Sequence, residues 1–389
     1  MEKQKAKKTL VGLLVILLIS SAFLLISLTG NAVEQDTIKV GGIFALTGGW
    51  AVGGGTEANF VKIAVDEINA NGGVNGKQLE LILEDGKCSA TEAVNSFKKL
   101  TEVDNVDIIF GPSCSPTSAV VVPMSSNKGK LIFAATTTTK NIFDKYNFAF
   151  RTSPSSEKQA GITANRLLNL YDKKNVVVIT ETTNFAKGWA DDFSDQYRSI
   201  GGKILLKEEF NPGTMDFKTS LSKMKELKPD AIFISAQKPG TAAEIINEMI
   251  ELGMAEDIQI TGNPVTIGSS VVGATDGKLP SDAFTIVPYL ENNELLNKYV
   301  GRYGSEPGFN FFLTAASYDS VYIVKEALEV CGENNACINS YIKGLNDWQG
   351  EVSTWNFNEF GDPILPDESF AELKVIAGQS KFVQIKEDL

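Results

Sequence analysis

Beyond residue 36, the chain alternates short apolar runs with segments whose apolar residues recur every three or four positions. The runs IKVGGIFAL, QLELILED, VDIIFG and KLIFAAT predict strands. The segments between them, EANFVKIAVDEINA, ATEAVNSFKKLTE and residues 116–127, predict helices, and the Asn-Gly-Gly sequence at 71–73 ends the first of these. This alternation of strands and helices predicts a parallel, doubly wound sheet.

The same plan then restarts. The strand-like runs KNVVVIT, KILLKEEF, DAIFISA and IQITGN alternate with helices predicted at about 190–199, 217–227 and 241–252. A long helix, FFLTAASYDSVYIVKEALEV, and a hairpin-like segment, STWNFNEFGDP, return the chain to the two units. We therefore predict an α/β fold of two doubly wound parallel-sheet lobes, with a ligand crevice at the carboxyl ends of the strands.

The N-terminal segment predicts export. Four lysines within residues 3–8 precede an apolar run over 10–28, so we expect residues 1–35 to be a signal peptide or a membrane anchor. Gly30 and Ala32 fit a small-x-small cleavage site, whereas the run is long enough to span a bilayer. No cysteine ends the run, so a lipid anchor is not expected. The remainder is predicted to be extracytoplasmic, in the periplasm or at the cell surface.

The charge balance and the absence of histidine exclude several classes of function. The chain has 48 acidic and 36 basic residues, for a net charge of −12, which repels nucleic acid. Without histidine it lacks the Ser-His-Asp triad, the commonest general base and the commonest metal ligand. We predict a protein that is not an enzyme and that holds no cofactor or metal. A hydrolase that uses two carboxylates is the enzymatic alternative.

The four cysteines suit an oxidising compartment. Cys331 and Cys337 bound a short loop, while Cys88 and Cys114 each follow a predicted strand, and adjacent parallel strands can bring those ends together. Two disulfides, Cys88–Cys114 and Cys331–Cys337, are therefore expected. The alternative is four unpaired buried thiols. A zinc site is disfavoured because the chain has neither histidine nor a CxxC sequence.

The segment LTGGWAVGGG, after the first strand, is predicted to be a loop whose glycines let the backbone approach a ligand. Trp50 is the candidate ligand contact, because an aromatic ring beside a crevice can cover a ligand. The segment has neither the Gly-Lys-Ser/Thr ending of a Walker loop nor a GxGxxG fingerprint. A flexible rim loop without ligand contacts is the alternative.

Two further segments of the first lobe carry hydroxyl groups. In GPSCSPTSA, Ser115 precedes a proline and is predicted to cap a helix, so that the amides of Thr117 and Ser118 form an anion pocket. A plain helix cap is the alternative. In AATTTTKN, Thr136 and Thr138 are predicted to face the crevice and to accept from an ammonium group. Here the alternative is a strand end that caps a helix near residue 141.

In the second lobe, Phe185, Gln237 and Asn263 each follow a strand on the crevice side. Phe185 or Trp189 can stack on a ligand, although core packing is the expected role of Trp189. The neighbouring acidic residues are expected to be solvated surface charges: Glu181, Asp191 and Asp192.

Taken in order, these segments resemble the Leu/Ile/Val-binding-like (branched-chain amino-acid type) solute-binding proteins of ABC importers, which have the type I periplasmic binding fold. The resemblance runs from about residue 37 to about residue 375. It rests on these segments: IKVGGIFALTGG, INANGGVNGK, LEDGKCSATEAV, IIFGPSCSPTSA, FRTSPS and GTMDFKTSLSKMKELKPDAIFI. It implies that Ser115 holds a ligand carboxylate, that Thr136 and Thr138 take the carboxylate and the ammonium, and that Phe185 covers the ligand. It also implies the Cys88–Cys114 disulfide.

The chain departs from the family pattern at three places. Gly53 stands where an aromatic residue usually packs on the ligand, with Trp50 as the nearby substitute. Gln237 stands where a tyrosine is common. Asn263 or Pro264 stands where an acidic residue often pairs with the ammonium, and a neutral residue there loses a charge-assisted hydrogen bond of about 1.5–3 kcal/mol.

The resemblance implies three crossings between the lobes, near Arg151, Val287 and Gly350. We predict lobe 1 over 36–151 plus 287–350, and lobe 2 over 152–286 plus 351–389. The predicted function is that of a monomeric solute-binding protein that closes on a small carboxylate-bearing ligand, such as an amino acid, and delivers it to an ABC permease and its ATPase. A sensor that acts through a separate membrane partner, or a binder of an amide or other small polar molecule, is the alternative.

Overall fold

The computed structural model describes residues 37–376 and 378–384. The predicted signal peptide or anchor at 1–35 therefore lies outside the described residues. Within the described part, no helix combines the length and the apolar character that a membrane crossing requires.

The first sheet has five parallel strands in the order β2-β1-β3-β4-β5. Its strands are β1 (Thr37–Phe44), β2 (Gln78–Asp85), β3 (Ile108–Phe110), β4 (Leu131–Ala134) and β5 (Ala149–Arg151). The helices that connect them are α1 (Ala51–Ala70), α2 (Ala90–Lys98) and α3 (Ser115–Lys128). This arrangement confirms the parallel doubly wound prediction for the first half of the chain.

The second sheet has seven strands in the order β14-β13-β10-β9-β8-β6-β7. Its strands are β6 (Asn175–Glu181), β7 (Lys203–Phe210), β8 (Ala231–Ser235), β9 (Gln259–Gly262), β10 (Phe284–Pro288), β13 (Phe370–Ile376) and β14 (Gln379–Gln384). The helices of this half are α4 (Ser156–Asn165), α5 (Asn184–Ser199), α6 (Lys218–Glu226), α7 (Pro239–Glu251) and α8 (Ser269–Ala274). Strands β6–β9 are parallel as predicted. The sequence analysis predicted neither the parallel strand β10 nor the antiparallel edge that β13 and β14 form.

The remaining elements connect the two sheets. They are α9 (Asn293–Tyr303), α10 (Phe311–Cys331), α11 (Asn335–Lys343) and a short hairpin of β11 (Trp348–Gln349) and β12 (Thr354–Trp355). The long helix α10 packs against α1 of the first lobe. Phe357 packs on Phe133 and Phe150 of the first sheet before the chain enters β13. The predicted domain boundaries themselves stay a prediction.

The central strands of the second sheet are buried on both faces. In β6, every residue from Val176 to Glu181 is buried, and all five residues of β8 are buried. Such continuous apolar strands are typical of parallel sheets with helices on both sides. The two-lobed α/β architecture is therefore confirmed.

Two helices begin earlier than their apolar patterns predict. Helix α1 starts at Ala51, so the second half of the segment predicted as a glycine-rich loop is helical. Gly54 explains this, because a Cβ there would lie 2.4 Å from the carbonyl oxygen of Ala45, and only glycine lets the helix sit so close to the end of β1. Helix α5 starts at Asn184, because the hydroxyl of Thr183 caps it by accepting from the amide of Ala186 at 3.1 Å.

Both predicted disulfides are present. Cys88 joins Cys114, and Cys331 joins Cys337, each with 5.6 Å between the Cα atoms. The first bond links the loop after β2 to the residue that precedes α3, at the crevice end of the first sheet.

Removing the Cys88–Cys114 disulfide by a double change to serine should cost about 3.5 kcal/mol of unfolding free energy, because the bond closes a loop with a sequence separation of 26. The matched change at Cys331 and Cys337, with a separation of 6, should cost about 2 kcal/mol. Guanidinium unfolding of both double variants measures the two costs. Equal costs, or the reverse order, would contradict the loop-entropy argument.

Candidate functional site

All seven predicted ligand residues lie just beyond the carboxyl ends of strands. Trp50, Ser115, Thr136 and Thr138 follow strands of the first sheet, whereas Phe185, Gln237 and Asn263 follow β6, β8 and β9 of the second. In open α/β sheets, this edge is where ligands bind.

The two sets of strand ends meet across the crevice. The indole Nε1 of Trp189 donates to the hydroxyl of Thr138 at 3.0 Å, and the hydroxyl of Thr139 donates to the carbonyl of Asn184 at 3.3 Å. Gln237 Nε2 lies 3.9 Å from the sulfur of Cys88. Trp189 is fully buried in the core, as expected. Its N–H group also joins the two lobes.

Ser115 does not cap α3 as predicted. The cap residue is Cys114, whose φ of 73° is left-handed, and Ser115 is the first residue of the helix. The amide of Ser118 donates to the carbonyl of Cys114 at 3.1 Å, so it is not free to take part in the predicted anion pocket. The left-handed turn at Cys114 starts the helix one residue early. The hydroxyl of Ser115 is buried and accepts from the amide of Thr139 at 3.4 Å.

The two threonines use their hydroxyl groups in opposite senses. Thr136 donates to Oε2 of Glu57 at 2.9 Å, so only its lone pairs remain for another partner. Thr138 accepts from Trp189, so its own proton remains to be donated. This arrangement offers an acceptor at Thr136 and a donor at Thr138.

Arg151 binds the backbone of the threonine segment, residues 136–139. Its Nη1 donates to the carbonyls of Thr137 at 3.2 Å and Thr139 at 2.9 Å. Its Nε and Nη2 form a two-pronged ion pair with Asp362, at 2.6 and 2.9 Å, and its side chain is fully buried. Sequence reasoning placed Arg151 only at a crossing between lobes. The signal was an arginine that directly follows the apolar residues of β5.

Glu57 is a site residue that the sequence analysis missed. It is fully buried, and its Oε2 accepts from Ser113 at 2.6 Å and from Thr136 at 2.9 Å. Burial raises its pKa to about 7, although these two hydrogen bonds act in the opposite direction. Its Oε1 has no partner among the described residues. The signal was an acidic residue in register with Phe60, Val61 and Ala64 on the apolar face of α1.

Two of the three acidic residues near β6, Glu181 and Asp192, are less solvated than predicted. Glu181 is only 3% exposed, and its Oε2 accepts from the amide of Gln237 at 2.7 Å, so the expectation of a solvated charge is wrong. Asp192 is half-buried and accepts from the hydroxyl of Ser156, and burial raises its pKa to about 6. Asp191 pairs with Lys207.

Phe185 and Gln237 are both buried. The ring of Phe185 lies 6.4 Å from that of Trp189. The side-chain oxygen of Gln237 has no hydrogen-bond partner within the described chain. Both residues therefore stay candidates for ligand contact.

Asn263 has a structural role in the turn after β9. Its Nδ2 donates to the carbonyl of Ala236 at 2.8 Å and to the hydroxyl of Ser235 at 3.1 Å, and its Oδ1 accepts from the amide of Val265 at 3.3 Å. These bonds tie the turn to the end of β8. A ligand contact by Asn263 stays a prediction, and it would require these hydrogen bonds to be exchanged.

Trp50 occupies the space beside Gly53. A Cβ on Gly53 would lie 2.8 Å from the indole ring, so the ring replaces a side chain at that position. The ring also meets Phe309 edge-on, with 4.5 Å between centroids, and its buried Nε1 has no partner among the described residues.

A cavity of about 520 Å³ lies between the residues that follow β8–β10 and the start of α10. Pro239, Pro264 and Pro288 line it at the carboxyl ends of β8, β9 and β10, and Phe309 and Phe311 line it near α10. None of the seven predicted residues lines it. Among the described residues, no cluster of three or more cysteine, aspartate or glutamate side chains is suited to hold a metal ion.

Comparison with known proteins places this geometry in context. A family described as periplasmic binding protein matches residues 37–352. The leucine-, isoleucine-, valine-, threonine- and alanine-binding protein of Pseudomonas aeruginosa is 24% identical over 353 residues, which cover 88% of this chain and 92% of that protein. A Leu/Ile/Val-binding protein of Rhizobium johnstonii is 26% identical over 373 residues, covering 92% and 97%.

The fold is also similar to that of a solved structure. The branched-chain amino acid transporter substrate-binding protein LivJ from Streptococcus pneumoniae, solved in complex with isoleucine, matches with a TM-score of 0.78 and 26% identity. The match covers 90% of this chain and 100% of the other.

Proposed function

The chain belongs to the periplasmic binding protein family, and on this premise we propose that it is the binding component of an ABC importer that takes up a small carboxylate-bearing ligand. Membership of the family makes it a solute-binding protein rather than an enzyme, and places it outside the cytoplasm. The ligand, the permease and the ATPase belong to the proposal.

Unpaired buried polar atoms on both sides of the crevice carry this proposal. They are Trp50 Nε1 and Glu57 Oε1 in the first lobe and Gln237 Oε1 in the second, none with a partner in the described part of the chain. Each such atom costs about 1–3 kcal/mol when it is left without a hydrogen bond. A polar ligand held between the lobes would supply partners to both sides.

The hydroxyl groups support a ligand with an ammonium and a carboxylate. Thr136 has lone pairs to accept from an ammonium, and the buried carboxyl group of Glu57 lies directly behind it. Thr138 has a proton to donate to a carboxylate. The hydroxyl of Ser115 is close by, because it accepts from the amide of the next residue, Thr139. Glu57 thus offers, from the first lobe, the acidic group that is absent at Asn263. An amino acid fits this pattern, and the relatives named above are described as binding leucine, isoleucine and valine.

Closure of the lobes would couple binding to delivery. A ligand that contacts both lobes binds the closed form more tightly, so it shifts the population toward that form. The contacts between Trp189 and Thr138, and between Thr139 and Asn184, are interactions that a closed form makes. The closed, liganded form would then dock on the permease.

Ser115→Ala should weaken binding of an amino acid by about 1–3 kcal/mol, because it removes a hydroxyl from the proposed carboxylate site. Calorimetry with leucine, isoleucine, glutamine and benzoate identifies the ligand and measures the loss. Ser126→Ala, near the far end of α3, is the matched control and should bind as the unaltered protein does. Unchanged affinity in Ser115→Ala would move the carboxylate site elsewhere, and formation of product from any of these compounds would overturn the binding role.

A further inference from the structure

A glycine of the second lobe lies directly against the threonine segment of the first lobe. Gly188 is in the second turn of α5, and a Cβ there would lie 2.9 Å from Cγ2 of Thr139. Carbon atoms in contact lie about 3.5–4.0 Å apart, so a Cβ does not fit in this space. Only glycine therefore lets the two lobes meet at this distance.

The helix itself does not require a glycine at position 188. Gly188 is the single glycine within α5, and its φ is not in the left-handed region that glycine favours. A glycine inside a helix is less favourable than an alanine, because it loses more backbone freedom on folding. The contact with Thr139 across the crevice gives the physical reason for a residue that weakens its own helix.

Thr139 is fixed in place, so it cannot move away from a larger residue. Its amide donates to Ser115 at 3.4 Å, and its carbonyl accepts from Arg151 at 2.9 Å. Its hydroxyl donates to the carbonyl of Asn184 in α5 at 3.3 Å. Cγ2 and this hydroxyl are bonded to the same Cβ, so turning Cγ2 away from the glycine breaks the hydrogen bond to Asn184.

The start of α5 is also held in place. The carbonyl of Ala186 accepts from the hydroxyl of Ser235 in β8 at 2.7 Å. The ring of Trp189 is fully buried, and its N–H group donates to Thr138 at 3.0 Å. A shift of the helix away from the threonine segment would break these contacts.

A second close glycine contact across the crevice is softer. A Cβ on Gly49 would lie 2.9 Å from Cε of Lys238, the residue before α7. The end of a lysine side chain is flexible, so a side chain at position 49 displaces it at little cost. At Gly188 neither partner yields in this way, so that contact limits how closely the lobes approach.

We propose that Gly188 is a positioning residue that sets how far the lobes close, and that its contact with Thr139 determines how tightly the closed form retains its ligand. Gly188 acts without touching the ligand. A Cβ at this position holds the lobes apart, so it lowers the closed fraction and the apparent affinity together. This inference rests on the proposed function and extends it to the closing movement.

Gly188→Ala should weaken leucine binding about tenfold or more in calorimetry, because less of the protein can close. Its urea midpoint should stay the same or rise, because alanine is the better helix residue. Adding Thr139→Ser removes the clashing methyl group and keeps the hydroxyl, so the double variant should regain most of the lost affinity. Gly161→Ala in α4 is the matched control, because a Cβ there meets only Gln196 at ordinary distances of 3.7–3.9 Å.

A disulfide test of the same contact needs no ligand. The Cβ of Thr139 lies 3.7 Å from the Cβ position of residue 188, within the range of about 3.5–4.5 Å found in disulfides. Thr139→Cys with Gly188→Cys should therefore form a bond between the lobes in a glutathione buffer, identified by mass mapping of peptides. Thr139→Cys with Gly161→Cys should not, because Gly161 packs beside Gln196, about 12 Å along α5 from Gly188.

Equal leucine affinity in Gly188→Ala and Gly161→Ala would overturn the proposal. A loss that Thr139→Ser does not restore, or absence of the bond between positions 139 and 188, would also overturn it. Failure of the proposed function looks different. In that case leucine, isoleucine, glutamine and benzoate bind no form, whereas the disulfide test still shows whether the lobes meet at Gly188.

Discussion

Replacing Arg151 with methionine is expected to lower the free energy of unfolding by about 3–5 kcal/mol, as the loss of one partner of a buried ion pair does. The guanidinium is fully buried, and four hydrogen bonds hold it: two to Asp362 and one each to the carbonyls of Thr137 and Thr139. Methionine fills a similar volume but leaves the carboxylate of Asp362 and the carbonyl of Thr139 without this partner, whereas the carbonyl of Thr137 still accepts from the hydroxyl of Ser153. Urea unfolding at constant pH measures the loss.

The structure supplies matched controls for this prediction. Arg198→Met removes an exposed arginine that pairs with Asp195 at 3.6 Å, and it should cost less than about 1 kcal/mol. Arg151→Lys keeps the charge but cannot form the two-pronged contact, so its cost should be intermediate. The double change Arg151→Met with Asp362→Leu should recover part of the loss, because it removes the orphaned carboxylate. Similar stability of Arg151→Met and Arg198→Met would show that the buried pair does not anchor the threonine segment.

Between pH 4.5 and 8, the unfolding free energy of Glu57→Gln should fall by about 3 kcal/mol less than that of the unaltered protein. Burial raises the pKa of Glu57 from 4.5 to about 7 in the folded protein. Between these values the folded state holds a proton that the unfolded state has released, so stability falls as pH rises toward 7. The interval corresponds to about 3 kcal/mol at about 1.4 kcal/mol per pH unit. Glutamine resembles the neutral carboxyl group at every pH and lacks this loss.

The measurement compares the two proteins rather than either alone. Burial also raises the pKa values of Asp192 and Asp319, each to about 6, so the unaltered protein and the variant both lose some stability as pH rises. The difference between their unfolding free energies at each pH isolates Glu57. Glu359→Gln, which removes an exposed carboxylate, is the control for net charge. Parallel curves for the unaltered protein and Glu57→Gln would mean that Glu57 carries the same charge in the folded and unfolded states throughout this range.

Much of the fold was predictable because its signals are local. The apolar runs of β6 and β8 and the long pattern of α10 depend on neighbouring residues alone, and the structure has each of them within one or two residues of its predicted bounds. The two disulfides were predictable because both pairs lie beside elements that were already assigned. The antiparallel β13–β14 edge was not, because pairing at a sheet edge depends on which strand is already there.

The positions of the candidate site residues were predictable, but their hydrogen-bond partners were not. The order of strands places Ser115, Thr136 and Gln237 at one edge, as the alternating pattern indicates. That pattern does not show that Cys114 rather than Ser115 caps α3, because a left-handed residue depends on the turn around it. Nor does it show that Glu181, which directly follows an apolar run, stays buried to accept from Gln237.

The sequence by itself determined the fold class, the cysteine pairs and the strand ends that carry the candidate residues. It also predicts the export signal. Only the tertiary structure decided which charges are buried. It also decided which hydroxyl groups still have a proton to donate and which have only lone pairs to accept a hydrogen bond. Glu57 meets Thr136 across 79 residues, and Arg151 meets Asp362 across 211. Helical and strand periodicity reflects contacts within a few positions, whereas desolvation of a charge depends on every segment that folds over it.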